Sequence, residues 1–400
     1  MKRLAIIGAG ASGLCAAAEA RSENPDIDIV LFDRMSKAGK KILATGNGRC
    51  NFTNEDLSPA HFYGNGEFLK GILNSRFSDT EEFLKNSGVL PYKEDGRIYP
   101  RSQQASTVRD ALLNKIGNGG IKVKTDCPVT EISRGKSGFN IKGELFDAVI
   151  VCGGGKAASV HGSDGSCYKI AESFGHRTTP LYPALCGLVI QDRNLNLLKG
   201  VRAECTAELY SDEKLLGRES GEVQFTDRAI SGIPIMNLSH LCGNKKGLKI
   251  RLDLCPEIDG NLLFSHIKKC AKNSPDTEYE TVLNGVINLK LAFAVMNRAG
   301  IKPRTLCKNL TDSQIKESLK VLKCFEINIA SARGFDNAQV TEGGINTNEI
   351  SPETMMSKKV DGLFFCGEIL DIHGDCGGYN LHLAFTTGRI AGNSAGKYLK

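Results

Sequence analysis

The chain has 400 residues, 51 Lys and Arg against 45 Asp and Glu, a net charge of +6, and 41% hydrophobic residues. That length holds two or three domains around a sizeable core, and so mild and dispersed a positive charge argues against nucleic acid as the main partner. The chain has no apolar run long enough to cross a bilayer, and its 14 cysteines show no C-x-x-C spacing. Neither a membrane span nor a metal knuckle is expected; buried thiols in a reducing cytoplasm account for the cysteines.

Residues 3–7 (RLAII) form a short apolar run suited to a buried parallel strand. Gly8-Ala9-Gly10-Ala11-Ser12-Gly13 follows at once, then an alanine-rich helical stretch, a break at Asn24-Pro25, and a second apolar run ending at Asp33. This is a βαβ unit with a Gly-x-Gly-x-x-Gly turn. Gly8 permits the tight turn, Gly10 leaves room for a pyrophosphate, and Gly13 lets helix and sheet pack closely. The helix start offers free N–H groups and a positive dipole end to phosphate. Asp33 is placed to accept hydrogen bonds from an adenosine ribose, about 20 residues on.

Residues 37–54, rich in Gly, Asn and Lys, read as a long donor-bearing loop able to lie flat on a polar ring. A helix is expected over 68–87, a turn over 96–100, and a helix over 105–116. Short strands are expected at 121–126, 129–133, 138–142 and 145–151, the last running into Gly153-Gly154-Gly155. Composition shifts near Pro180 and Pro183. Short strands dominate 185–255, helices are expected at 262–270, 279–296 and 313–322, and strands return at 340–345 and 363–366. A helix over 379–399 follows Gly377-Gly378. The strand, Gly367-Glu368 and the glycine pair make a second anion-friendly helix start, suited to the pyrimidine side of a flavin ring.

Together these stretches resemble the FAD flavoproteins of the YhiN/BaiN type, which include aminoacetone-oxidase-like members. The resemblance rests on Gly8 to Gly13; on Gly46-Asn47-Gly48-Arg49-Cys50-Asn51-Phe52-Thr53-Asn54; on Gly96-Arg97-Ile98-Tyr99-Pro100; on Phe225-Thr226 with Ser231-Gly232-Ile233-Pro234; on Val340-Thr341-Glu342-Gly343-Gly344; and on Gly367-Glu368 through Gly377-Gly378-Tyr379-Asn380-Leu381. It implies an α/β fold: an FAD-binding, Rossmann-like domain of the glutathione-reductase type, a β-barrel-like insert and a small helical domain. The boundaries expected are 1–184 with 335–400 for the discontinuous FAD domain, 185–258 with 324–334 for the β-insert, and 259–323 for the helical insert. Asp33 stands where such proteins more often have Glu, and Asn47 where a third glycine is usual.

The cofactor contacts expected are Gly8, Gly10, Ala11, Ser12, Gly13, Asp33, Arg34, Lys41, Gly46, Asn47, Gly48, Arg49, Cys50, Asn51, Val129, Gly153, Gly154, Gly367, Glu368, Gly378, Tyr379, Asn380 and Leu381. Tyr379 and His373 are the candidate catalytic groups, one as proton donor and one as carbonyl polariser. With a single dinucleotide fingerprint, NAD(P)H is expected to dock transiently as electron donor, and a small-molecule acceptor to take the hydride. For some members the resemblance implies reduction of conjugated C=C bonds in steroid-like enones. Oxidation of a small amine with peroxide as product, and a flavin-bearing protein that binds or modifies RNA, are the alternatives. The sequence leaves open the direction of electron flow, NADH against NADPH, and the oligomeric state.

Overall fold

The structure, a computed structural model, describes residues 1–136 and 138–400. The chain forms two compact units, Met1–Tyr182 with Gln339–Lys400, and Pro183–Ala338.

The first unit is built on a five-stranded sheet. Strand β1 (Arg3–Ile7) pairs in parallel with β2 (Asp28–Phe32) on one side and with Ala148–Val151 on the other. Leu363–Phe365 extends the sheet beyond Ala148–Val151, and Lys122–Lys124 beyond β2. The inner strands are apolar without interruption because both faces are covered; Leu4, Ala5 and Ile6 are fully buried. Helix α1 (Ala11–Glu23) makes the crossover. Its alanines have a packing cause. A Cβ added to Gly388 would lie 2.3 Å from the Ser12 carbonyl oxygen, and one on Gly392 2.1 Å from that of Ala16. The helix Tyr379–Tyr398 therefore lies backbone to backbone against α1, a closeness only small residues allow.

Several local expectations are corrected. The helix expected over 68–87 is two helices, Gly66–Leu73 and Thr80–Lys85. Asn65 caps the first by accepting from Phe68 N, and Asp79 caps the second by accepting from Glu82 N; two N-caps mean two starts. The turn expected over 96–100 is mostly a strand, Arg97–Pro100, antiparallel to Pro91–Glu94. Asp95 and Gly96 form the hairpin turn, at φ +49° and +74°. No strand covers 129–132; Val129 and Ile132 are buried from a loop. Ser137, in the break between the strands expected at 129–133 and 138–142, lies outside the described residues.

The second unit holds a closed six-stranded barrel. Its strand order is Leu188–Ile190, Ala229–Ser231, Lys214–Thr226, Arg202–Ser211, Leu248–Asp253 and Phe325–Ala332. Leu188–Ile190 also pairs with Phe325–Ala332, which removes the open edges. Lys214–Thr226 is longer than the short strands expected here and makes one extended hairpin with Arg202–Ser211. Helices Gly260–Asn273, Tyr279–Asn284, Leu289–Arg298 and Asp312–Lys323 follow. The helix expected over 279–296 is split, with Asn288 capping the second piece through Lys290 N. Leu263, Tyr279, Leu291 and Leu322 share one apolar core with barrel residues Ile250, Leu252 and Phe325. Among the described residues no helix is long and apolar enough to cross a membrane.

Candidate functional site

The three fingerprint glycines are glycine for different reasons. Gly8 has φ +108°, and a Cβ there would lie 2.6 Å from the Cys152 carbonyl oxygen; one on Gly13 would lie 1.9 Å from the Gly8 carbonyl oxygen. Those two are required by packing. Gly10 is not: its φ is −80° and an added Cβ would meet nothing within 4 Å. The chain leaves an open face where a side chain would fit, and that face lies at the start of α1, where first-turn N–H groups lack intrahelical partners. Gly10 caps α1 without a side-chain bond. These features fit a dinucleotide pyrophosphate.

Asp33 closes the cradle. Its two carboxylate oxygens accept from Ala9 N and Met35 N, each at 2.7 Å. Burial pushes its pKa up, and the two backbone bonds oppose that shift. Arg34 is engaged by Asp164. Lys41 and Glu368, both expected at the cofactor, face each other: Nζ lies 2.6 Å from Oε2, and 3.2 Å from the Ala157 carbonyl oxygen. The other Glu368 oxygen accepts from Thr341 N at 3.1 Å. Gly153 and Gly154 are held by packing: added Cβ atoms would lie 2.2 Å from Cys167 Sγ and 2.7 Å from Ser163 Oγ.

Residues 46–50 carry a cluster of left-handed backbone. Gly46, Asn47, Gly48 and Cys50 have φ of +55°, +56°, +83° and +60°. Asn is the non-glycine residue that best tolerates this region, so Asn47 keeps the backbone path without a third glycine. The loop is not structureless; Ile42–Gly48 contains helical turns broken at Thr45–Asn47. The turns hold themselves: Arg49 N donates to the Gly46 carbonyl oxygen at 3.1 Å and Cys50 N to that of Thr45 at 3.0 Å. The Cys50 thiol is fully buried and burial pushes its pKa up to about 12, so it is a packed thiol and not a nucleophile. The Arg49 guanidinium is committed: it grips Glu94 with both terminal nitrogens, at 3.1 and 2.6 Å, and lies 4.1 Å over the Tyr99 ring.

The glycine bend joins this loop. A Cβ on Gly378, whose φ is +104°, would lie 2.5 Å from the Thr53 carbonyl oxygen and 3.0 Å from that of Asn51. Asn54 Nδ2 donates to the Gly377 carbonyl oxygen at 2.9 Å. The fingerprint is drawn in from the other side: Gly39 N donates to the Ala9 carbonyl oxygen at 2.8 Å, and Gly367 sits against Ser12. Fingerprint, donor loop and glycine bend thus converge within one unit.

Other expected residues have structural duties. Tyr379 is 5% exposed, stacked on His61 at 4.7 Å and edge-on to Phe62. Burial, with Asp56 and Asp375 nearby, pushes its pKa up to about 12. The Asn380 side chain fastens the bend, accepting from Gly374 N at 2.9 Å and donating to the Gly374 carbonyl oxygen at 2.7 Å. His373 is buried and stacked on Tyr63 at 5.1 Å. Leu381 packs partly buried on the core, and Val129 is buried. His61 and Tyr63 escaped the sequence reading, and Thr341 and Asp375 stood there only inside motifs, without a role. Tyr63 and Asp375 touch across 312 positions, and no local spacing signals such a pair.

Comparison with known proteins fits this geometry. A protein 36% identical over 409 residues, spanning 99% of both chains, is the 3-dehydro-bile acid delta(4,6)-reductase of Clostridium scindens. The ribosomal RNA dihydrouridine synthase of Haemophilus influenzae is 28% identical, over 96% of this chain and 95% of its own. Among solved structures, the 3-ketosteroid delta1-dehydrogenase of Sterolibacterium denitrificans superposes with a TM-score of 0.54 at 11% identity, over 99% of this chain and 100% of its own; it shares the fold. The family described as HI0933-like protein Rossmann domain matches residues 2–394, and this chain belongs to that family.

Proposed function

We propose that this chain is an FAD-dependent oxidoreductase that saturates an activated C=C bond with electrons from NAD(P)H. The observation that carries the reading is the open face at Gly10 at the start of α1, in the same unit and converging with the 46–51 loop and the Gly377-Gly378 bend. Gly10 and the first-turn N–H groups of α1 would hold the pyrophosphate, and Asp33 the adenosine ribose. The backbone of 46–51 and of the glycine bend would hold the flavin ring. Bound FAD supplies hydride chemistry. The protein's part is position and charge. The start of the helix Tyr379–Tyr398 would lend its positive dipole end to the ring's pyrimidine side, where such an end is worth about 0.3–2 kcal/mol toward a negative charge.

The acceptor class follows from the relatives' named activities. A delta(4,6)-reductase of a 3-dehydro-bile acid and a dihydrouridine synthase both saturate a C=C bond conjugated to a carbonyl. The higher identity and fuller coverage of the bile-acid enzyme favour a small steroid-like enone over RNA. The test is anaerobic oxidation of NADH or NADPH by FAD-loaded protein with three acceptors in parallel: a 3-oxo-4-ene steroid, a ribosomal RNA transcript, and no acceptor. Steroid-driven oxidation is expected. Oxidation driven only by the transcript would move the substrate to RNA, and amine-dependent peroxide in air without either would replace reduction by amine oxidation.

A further inference from the structure

A row of polar side chains lies beside the glycine bend, where the strand Phe62–Gly64 pairs antiparallel with Ile372–Gly374. Asp375, 6% exposed, is its centre. One carboxylate oxygen accepts from the Tyr63 hydroxyl at 2.9 Å, and the other lies 3.0 Å from His61 Nδ1. His61 Nε2 lies 3.2 Å from Asp56 Oδ2. The row is anchored: Asp375 N donates to the His61 carbonyl oxygen, and Asn380 Nδ2 donates to the Asp375 carbonyl oxygen. Exposure changes along it in a particular way. The Asp56 side chain is 63% exposed, His61 32% and Asp375 8%, and Tyr63 is half-buried again. A dry middle with two accessible ends suits the passage of a proton along the row.

The chemistry of His61 agrees. A carboxylate at each ring nitrogen is fully satisfied only by the imidazolium, in which both nitrogens donate. Burial alone would lower its pKa; Asp375 and Asp56 overcome that and hold it above the ordinary histidine value. The other groups facing this row are the Tyr379 ring stacked on His61, the Arg97 charge acting on Tyr379, and the His373 ring stacked on Tyr63. A buried carboxylate needs partners whatever its role.

We propose that Asp56, His61, Asp375 and Tyr63 form a proton relay that serves the reaction, with the Tyr63 hydroxyl as the group that hands the proton to substrate. The inference rests on the alkene-reduction reading. Saturating a conjugated C=C bond takes one hydride and one proton. The hydride adds at the carbon remote from the carbonyl, and the electron pair of the broken π bond moves to the neighbouring carbon. That carbon takes the Tyr63 proton. His61 gives its Nδ1 proton to the Asp375 oxygen it faces, the Asp375 carboxyl turns about its Cβ–Cγ bond to pass that proton to Tyr63, and His61 recovers one from water beside Asp56. The sum is one alkene, one NAD(P)H and one solvent proton in, one saturated product and NAD(P)+ out. His61, Asp375 and Asp56 are positioning and relay groups; Tyr63 is the catalytic one.

The test uses FAD-loaded protein reduced anaerobically, then mixed rapidly with either a 3-oxo-4-ene steroid or ferricyanide, which needs no proton delivered to carbon. Tyr63→Phe and Asp375→Asn are expected to slow reoxidation by the steroid about a hundredfold or more, the range of general-acid contributions. Ferricyanide should act at the wild-type rate, and wild-type steroid turnover should slow in D2O. The His61 pKa, read by NMR, should fall toward the ordinary value in Asp375→Asn. Unchanged steroid rates, or equal slowing with both acceptors, overturns the relay. A wild type that reduces ferricyanide but neither the steroid nor a ribosomal RNA transcript defeats the alkene reading instead, and the relay falls with it.

Discussion

Gly367 lies against Ser12: a Cβ added to Gly367 would come within 2.4 Å of the Ser12 hydroxyl oxygen, at a backbone φ of +79°. Gly367, two residues past the strand Leu363–Phe365, thereby touches the helix start that follows β1, although 355 positions separate it from Ser12. Gly367→Val is expected to lose on two counts, overpacking at about 1–3 kcal/mol and a φ that β-branched residues avoid. Thermal unfolding of the apo-protein should drop by several degrees and FAD retention should weaken. A wild-type melting curve with wild-type flavin content would contradict the contact.

Gly10→Val isolates the opposite case. Its φ of −80° suits any residue and no atom stands within 4 Å of the new Cβ, so the chain has no packing reason to refuse a side chain. The apo-protein should keep its far-UV circular dichroism and lose no more than about 0.5 kcal/mol of stability, as for an uncrowded surface change. Flavin retention after gel filtration should be abolished. A variant that stays yellow would show that the open face is not where the pyrophosphate sits.

How much of this was legible depended on how local the cause is. The βαβ unit could be read because Gly8, Gly13 and the alanines of α1 answer to neighbours a few residues away or to a sheet that a five-residue apolar run already announces. The helix over 68–87 was misread because Phe68, Leu69, Ile72 and Leu73 share an apolar period with Phe83 and Leu84. The break lay in its N-caps Asn65 and Asp79, a weaker signal than the period. The Asp95-Gly96 hairpin carried a strong turn signal, but the strands it joins are only four residues each. The bond from Lys41 to Glu368 spans 327 positions, and the row through Asp375 spans more than 300. Such pairs are set by how the chain returns to the sheet, which no spacing encodes.

Glu349 makes an acid-side prediction. Burial would raise its pKa, but Lys359 at 2.9 Å and Arg177, through its backbone N–H and its guanidinium, hold it at about 2. A carboxylate depressed in the fold stabilises above its unfolded pKa of about 4.5 and loses that contribution as pH falls through about 2. The acid limb of stability between those values should be steeper in wild type than in Glu349→Gln, measured by denaturant unfolding. Parallel limbs would contradict it.

His382 makes another, in a higher window. It is fully buried, its Nδ1 lies 2.9 Å from Thr53 Oγ1 and 3.2 Å from Thr80 Oγ1, and burial lowers its pKa to about 4. The fold holds it neutral while the unfolded chain protonates near the ordinary value of about 6.5. Stability should therefore fall from that pH down to about 4 as the unfolded state takes up the proton. His382→Gln should remove this slope whatever it costs at pH 8, and a variant that keeps the slope would place its origin elsewhere.

The measurement that bears most directly on the whole account is the absorbance spectrum of the purified wild-type protein, taken after incubation with FAD and removal of free flavin by gel filtration. The account requires flavin bands at close to one FAD per chain, with those bands absent from Gly10→Val handled in the same way. A correctly folded wild-type protein that elutes colourless would contradict it.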